Sequence, residues 1–383
     1  MQYTEYELGE LLPFEQPTAY IVKSTDYSDA YATPVLTAGK SFILGKTNET
    51  DGIFDQLPVI IFDDFTTATQ FVNFRFKVKS SAMKILHINT DLVIPKYIFY
   101  RLQIIQFDHS THKRYWIQSY SKIKVLIPPL DEQSRIVTRI DELFSELDKA
   151  VDTLKTTKEQ LAVYRQAVLK DAFDNAQAMC ERFTPIEELL VTDRKGMSTG
   201  PFGTMLKKHE HKTTGVPMLG IENIDSGKFI DGNKIFVTPE KAVELKSFAL
   251  KSGDIIISRS GTVGELCVVP PRMEGALLST NLMRVSLDCQ KVLPEYFIYL
   301  FQSKGIVLDQ VKELCKGSTR IFLNQTILKQ IQFPIPNVHE QLQIINTIES
   351  RLTFCDNIEK TVDTALAQAD AMRQSILKQT FEE

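Results

Sequence analysis

The stretch Ile127-Pro128-Pro129-Leu130-Asp131-Glu132-Gln133 returns 208 residues later as Ile335-Pro336-Asn337-Val338-His339-Glu340-Gln341. The correspondence runs without a gap from 127–173 to 335–381. It closes on Arg165, Gln166, Leu169, Lys170 and Phe173 against Arg373, Gln374, Leu377, Lys378 and Phe381. Solenoid repeats are a few tens of residues long and stack on their neighbours, so a period of this length marks a duplicated module. Duplicated modules suit targets that also have two parts.

Each copy continues as a heptad helix. Ile140, Phe144, Leu147, Val151, Leu154, Leu161 and Val168 form one narrow apolar stripe, broken at Lys158 and Arg165. In the second copy the stripe is Ile348, Leu352, Cys355, Val362, Leu366, Ala369 and Ile376, broken at Glu359 and Arg373. Steps of four and three alternate, as a coiled-coil seam requires. The spacing predicts helices of about 45 residues, roughly 65–70 Å long. Asp131 is the expected N-cap after the Pro128-Pro129 turn, with His339 in its place in the second copy.

Working outward, the globular stretches 1–126 and 180–334 alternate with the helical segments 127–179 and 335–383. Short apolar runs such as Val59-Ile60-Ile61-Phe62 and Ile255-Ile256-Ile257 read as buried strands. The repeat persists weakly here: Pro95, Tyr97 and Tyr100 match Pro294, Tyr296 and Tyr299 at an offset of 199. Elsewhere the two globules diverge. The expected class is α+β: two α/β globules joined by two long helices in an antiparallel coiled coil, with a pseudo-two-fold internal repeat. Neither helix alone can bury its stripe, and each is the other's nearest partner, so a free-standing bar is expected.

Composition bounds the function. At 383 residues, 43% hydrophobic and 24% charged, the chain has the balance of an ordinary globular protein. It lacks an apolar run of the ~18 residues that a membrane span needs, and Met1-Gln2-Tyr3-Thr4-Glu5 does not open a signal peptide. Five scattered cysteines form neither a disulfide framework nor a zinc spacing, so reduced thiols and a cytoplasmic location are expected. The net charge of −4 is unevenly divided. Residues 1–126 carry 13 Lys+Arg against 13 Asp+Glu, and 180–334 carry 20 against 17. The helical segments hold the excess acid, 7 against 10 and 4 against 8. The globules are therefore neutral to mildly basic, which permits nucleic-acid binding through local Lys and Arg.

Catalytic motifs do not fit. Gly39-Lys40-Ser41-Phe42-Ile43-Leu44-Gly45-Lys46-Thr47 puts five residues between its glycines where a phosphate loop has four. His109 with His112, and His209 with His211, lack the further ligands of a metal site; they read as solvated loop residues or phosphate neighbours. There is no Asn/Asp-Pro-Pro-aromatic run of an aminomethyltransferase.

Loops dense in hydroxyl, amide and basic groups offer more. In the first half these are Thr66, Thr67 and Thr69, then Ser110, Thr111, His112, Lys113 and Arg114. In the second they are Ser198, Thr199 and Gly200, then Arg259, Ser260 and Thr262, Asn281, and Lys316, Ser318, Thr319 and Arg320. Ser, Thr, Lys and backbone N–H groups position phosphates, whereas Arg, Asn and Thr read base edges. On composition alone such loops are equally ordinary surface turns. The matched placement of 109–115 and 316–320 in the two repeats favours binding.

Taken with these loops, the chain resembles the specificity subunit of type I restriction–modification systems. The resemblance rests on the two Pro-x-x-x-Glu-Gln helix starts and their heptads. It also rests on Ser198-Thr199-Gly200-Pro201-Phe202-Gly203 and on Gly253-Asp254-Ile255-Ile256-Ile257-Ser258-Arg259-Ser260-Gly261-Thr262-Val263-Gly264. It spans the whole chain. It implies that 1–126 and 180–334 are target recognition domains, each reading half of a split site in double-stranded DNA. It implies that 127–179 and 335–383 are spacer helices, with Glu132, Gln133, Arg165, Glu340, Gln341 and Arg373 as spacer or partner residues. Two methyltransferase subunits would dock on this frame and methylate adenines with S-adenosylmethionine, and restriction/translocase subunits using ATP and Mg can join. The chain itself would hold no catalytic residue, metal or cofactor. The first globule lacks the Ser-Thr-Gly-Pro-Phe-Gly turn and has Phe62-Asp63-Asp64-Phe65 where the second has Ser258-Arg259-Ser260-Gly261. The alternative is a coiled-coil scaffold whose two globules bind proteins.

Overall fold

Both long helices form where the heptads place them, over Leu130–Met179 and Val338–Glu382, 50 and 45 residues in length. The computed structural model describes residues 3–38, 41–107, 114–180, 182–202, 205–259, 264–303, 305–315 and 323–382. Asp131 is not the N-cap: it lies inside the first turn, and Pro129 takes the cap position. The Pro129 carbonyl accepts the amides of Glu132 and Gln133 at 3.0 and 3.1 Å. The equivalent residue of the second copy, Asn337, builds a reciprocal box with Glu340. Its side chain accepts the Glu340 amide at 3.0 Å, while the Glu340 carboxylate accepts the Asn337 amide at 3.1 Å.

The chain divides into two compact units, Met1–Lys155 with Asp363–Glu383, and Thr156–Val362. Each takes the start of one long helix and the end of the other, so each contains a stretch of helix pair.

In the first unit, Val59–Asp63 lies at the centre of a four-stranded sheet in the order Phe14–Glu15, Met83–His87, Val59–Asp63, Thr69–Val72. Its apolar run is continuous because both faces are covered. Ile60, Phe62 and Leu86 pack with Tyr97, Trp116 and Tyr120, while Val59, Ile61, Met83 and Ile85 pack with Phe54 and Phe76. A second sheet runs Ile43–Thr47, Thr33–Leu36, Lys77–Val78. Thr4–Glu7 pairs antiparallel with Lys124–Ile127, so the globule's chain ends meet just before the helix.

The second unit repeats this topology. Its four strands run Met197–Thr199, Leu282–Val285, Ile255–Ser258, Leu266–Val268, and its three run Ile235–Val237, Val216–Leu219, Leu277–Leu278. In both three-stranded sheets the central strand pairs antiparallel on one side and parallel on the other. Phe183–Pro185 pairs with Gln332–Pro334 as the neck. The two globules, dissimilar in sequence, thus share one fold.

A buried glutamine ties each globule to its helix. Gln133 is fully buried; its oxygen accepts the Ile94 amide at 2.7 Å and its nitrogen donates to the carbonyls of Leu92 and Pro128 at 3.1 and 2.8 Å. In the second unit Gln341 does the same with the Leu293 amide and the Lys291 and Pro336 carbonyls, all at 2.8 Å. The opposite helix end packs on the same short helix. Phe381 meets Tyr97 edge-on at 5.3 Å, and Phe173 meets Tyr296 edge-on at 5.3 Å. Such ring pairs contribute about 0.5–1.5 kcal/mol beyond their buried area.

The helices are antiparallel in each unit separately. In the first, Ile140 packs with Leu377 while Asp148 pairs with Arg373, whose guanidinium lies 4.9 Å over the Phe144 ring. In the second, Lys158 meets Glu359 at 3.8 Å and Arg165 meets Asp356 at 2.5 Å and Glu359 at 2.7 Å. The seam breaks are therefore cross-helix ion pairs, and Arg165 with Asp356 is the repeat equivalent of Arg373 with Asp148. The apolar seam positions Ile140, Leu161, Val168, Ile348, Cys355, Val362 and Ala369 are buried.

Replacing Gln133 with Ala leaves one amide and two carbonyls unpaired, a loss of about 2–4 kcal/mol. Hydrogen exchange is expected to show the Ile94 amide deprotected while the Leu293 amide is unchanged; retained protection at Ile94 would contradict the latch.

Candidate nucleic-acid interface

In the second unit the central strand ends at Ser258, and Arg259 emerges where three loops meet. The Arg259 amide donates to the Asn281 carbonyl at 3.0 Å, and its own carbonyl accepts the Leu323 amide at 3.3 Å. Its guanidinium donates to the Thr280 carbonyl at 3.1 Å and lies 5.4 Å over the Phe202 ring. The Thr280 hydroxyl donates to the Pro201 carbonyl at 2.7 Å. Gly200 permits the approach: a Cβ there would stand 2.0 Å from the Ser279 carbonyl oxygen. Arg259 is half-buried, while Phe202, Thr280 and Asn281 are exposed. The result is a fixed guanidinium framed by an exposed aromatic ring, an amide and a hydroxyl.

Of the residues predicted in this half, the fold brings Thr199, Gly200, Arg259 and Asn281 together. Ser198 is buried in its strand, its hydroxyl donating to the Thr199 carbonyl at 3.2 Å. Ser260, Thr262, Lys316, Ser318, Thr319 and Arg320 lie outside the described residues.

The first unit repeats the backbone plan with opposite charge. The Tyr115 amide donates to the Asp64 carbonyl at 3.0 Å, and Tyr115 is the repeat equivalent of Leu323. Asp64 thus occupies the place of Arg259, a correction by one residue to the sequence alignment, which set Asp63 opposite Arg259. Its carboxylate accepts the Trp116 amide at 2.9 Å and faces the Lys84 ammonium at 3.1 Å, both groups being almost wholly buried. The neighbouring Asp63 caps the hairpin that follows. It accepts the Phe65 amide at 2.9 Å and the Thr66 hydroxyl at 2.7 Å, and Thr67 takes a φ of +57°. Phe65 and Thr66 are exposed on this tip, as is Arg114 nearby in the chain. Thr69 is buried, its hydroxyl accepting from Gln103 at 2.5 Å. Ser110, Thr111, His112 and Lys113 lie outside the described residues.

The remaining named residues sit at the helices. Glu132 pairs with Arg135 at 2.7 Å, and Glu340 caps its own helix. Gln133 and Gln341 are enclosed in their latches, and Arg165 and Arg373 in the seam. Burial raises the Tyr97 hydroxyl to about 12. Burial, then the Asp141 carboxylate that accepts its proton at 2.6 Å, holds the Tyr100 hydroxyl well above its usual range. Sequence reasoning missed the Lys84–Asp64 pair and the ring of Phe202. A lysine between Met83 and Ile85, in an otherwise apolar strand, was the one available signal for the former.

With the geometry established, comparison with known proteins agrees. The family model of the type I restriction modification DNA specificity domain matches residues 2–161 and 202–368. The specificity subunit of the Escherichia coli type I restriction enzyme EcoR124I/EcoR124II is 31% identical over 367 residues, covering 92% of this chain and 87% of that one. The EcoKI specificity subunit of Escherichia coli strain K12 is 27% identical over 285 residues, covering 69% of this chain and 58% of its own length. A chain solved in work on assembly and conformational transition of the type I R-M system superposes with a TM-score of 0.65 at 15% identity, covering 99% of this chain and 97% of that one. The HsdS subunit from Thermoanaerobacter tengcongensis gives 0.53 at 15%, covering 99% and 96%.

The fold and the paired loop clusters define a double-headed, DNA-specificity class of protein. The chain belongs to the family of type I restriction–modification DNA specificity subunits, and the family match itself falls in two segments, as the repeat does. This decides against the scaffold alternative.

Removing Lys84 alone (Lys84→Met) leaves the buried Asp64 carboxylate without its counter-charge and costs about 3–5 kcal/mol. The double change Asp64→Leu with Lys84→Met is expected to recover most of that loss. Urea unfolding midpoints decide it: equal midpoints for the single and double variants would show that the pair is not a coupled unit.

Proposed function

We propose that each globule reads one half of a bipartite double-stranded DNA site, with the second half read through the Arg259 cluster and the first through the Phe65–Thr67 tip and the Arg114 segment. The observation that carries this is the shared backbone plan: Tyr115 on Asp64 and Leu323 on Arg259 position different side chains on one frame. A common frame with exchanged chemistry is what two readers of different sequences need. Around these two centres Thr66, Thr67, Thr199 and Asn281 act as phosphate or base-edge groups; the same role is proposed for Ser110, Thr111, His112, Lys113, Ser260, Thr262, Lys316, Ser318, Thr319 and Arg320.

The chain's own part is recognition, in the cytoplasm. Adenine methylation with S-adenosylmethionine, and any translocation with ATP and Mg, belong to partner subunits. Two methyltransferase copies fit the duplicated surface. In the first unit a groove is lined by Lys96, Tyr100, Asp141, Phe144, Asp148 and Arg373. In the second the equivalent positions Glu295, Tyr299, Glu349, Leu352, Asp356 and Arg165 line another. Two like surfaces accept two copies of one partner. Mass measurement of the assembled complex is expected to give two methyltransferases per chain; a single copy would overturn the pairing.

Methylation mapping across the genome of cells co-expressing this chain and its methyltransferase tests the whole reading. A new bipartite adenine-methylated motif, absent without this chain, is expected; a soluble complex that adds no motif overturns it. Arg259→Ala is expected to weaken binding to that site by ~1–3 kcal/mol and to relax one half only.

The spacer role is tested separately. Four residues inserted at matched places in both helices add about 6 Å. Against a DNA rise of about 3.4 Å per base pair, the unread gap is expected to lengthen by about one or two pairs. An unchanged gap in the mapped motif would sink the ruler role.

A further inference from the structure

The basic run Lys207-Lys208-His209-Glu210-His211-Lys212 is not accounted for by either the reading cluster or the helices. It lies in the second unit, in the connection between Met197–Thr199 and Val216–Leu219. Its single acid is already neutralised. Glu210 accepts the Lys207 amide at 2.6 Å with one oxygen and meets the Lys241 ammonium at 2.8 Å with the other. These contacts, the Lys241 bond first and the Lys207 amide second, hold the Glu210 carboxyl below its usual range. Lys207, Lys208 and Lys212 are exposed and have no ion pair among the described residues.

The backbone that carries them is fixed. Lys212 and Phe236 exchange backbone hydrogen bonds at 2.8 and 3.1 Å, docking the run on the edge strand Ile235–Val237. Leu206 packs with Met218, Val237 and Leu245 just before it. An ordinary solvated charge run has neither an internally satisfied acid nor three tethers. Lys207 is five positions after Phe202, so the run begins at most about 18 Å along the chain from that member of the Arg259 cluster. Along DNA that is about five phosphates of one strand.

The first unit has no such feature in the same connection. Between Phe14–Glu15 and Thr33–Leu36 its charged side chains are Lys23, Asp26 and Asp29.

We propose that Lys207, Lys208 and Lys212 form a phosphate-binding ridge that grips the DNA backbone beside the bases read by the Arg259 cluster. The ridge rests on the DNA reading above and extends it: it supplies affinity without sequence information, and supplies it to one half-site only. Each phosphate contact releases condensed counterions and contributes about 0.9 to the slope of log K against log salt.

The test uses the complex of the full chain with its methyltransferase, and a duplex carrying the motif mapped for the parent. Lys207→Gln, Lys208→Gln and Lys212→Gln together are expected to lower that slope by about 2–3 and to leave the methylated motif unchanged. A slope lowered by less than about one contact overturns the ridge, and so does a changed motif, which would mean base reading. If the parent complex itself fails to bind the duplex, the DNA reading falls first; normal parental binding with an unaltered slope removes the ridge alone.

Discussion

Everything in this fold hangs from a glutamine with no access to solvent. Gln133 and Gln341 each join a helix start to the turn that precedes the globule's short aromatic helix, the side-chain oxygen accepting one bond and the nitrogen donating two. A buried amide so bound cannot shift without leaving donors and acceptors unpaired, which costs more than most single contacts gain. The direction in which each helix leaves its globule is thereby set. The apolar seam then only has to be followed, and the arginine–aspartate pairs fix the register in which the opposite helix comes alongside. Apolar heptads alone tolerate sliding, whereas a cation that must meet an anion does not.

On this frame the two readers differ at one decisive place. The residue after the central strand offers its carbonyl to the returning loop in both, yet its side chain is a half-exposed arginine in one and a buried aspartate in the other. Arg259 is held by the Thr280 carbonyl and the Phe202 ring, contacts that orient it without neutralising it. Asp64 is neutralised by Lys84 and serves to hold Trp116. One reader therefore places charge at the loop junction, and the other uses charge beneath the junction to position what lies above. Exchanging side chains without exchanging the backbone is how one fold serves different targets.

Sequence alone revealed the helices, their seam and the places where the seam breaks, because each leaves a local or periodic trace. Gln133 was visible as half of a repeated Glu-Gln pair, although its role was not: burial depends on Leu92 and Ile94, some forty residues away in the chain. The common topology of the globules was hidden for a related reason. Their strands are two to five residues long, and pairing across a sheet is set by non-local contacts that quite different side chains can satisfy. Pro95, Tyr97 and Tyr100, with the matched loops at 109–115 and 316–320, kept the duplication legible; Tyr97 and Tyr100 do so because they touch the repeated helices. The N-cap was misread because Asp131 is the stronger capping residue in isolation, whereas the buried glutamine two places on fixes the helix start two residues earlier.

The division of charge follows from the same economy of parts. Arg165 and Arg373 are enclosed by Asp356, Glu359 and Asp148, so the helices' basic side chains are partly drawn into the seam while many acids remain outside. Screening limits exposed charges to about 8 Å at physiological salt. Helix acidity therefore does not cancel a basic cluster held elsewhere, and a chain with a net charge of −4 can still present a strongly positive surface where it matters. An acidic helix face in turn disfavours phosphate by like-charge repulsion.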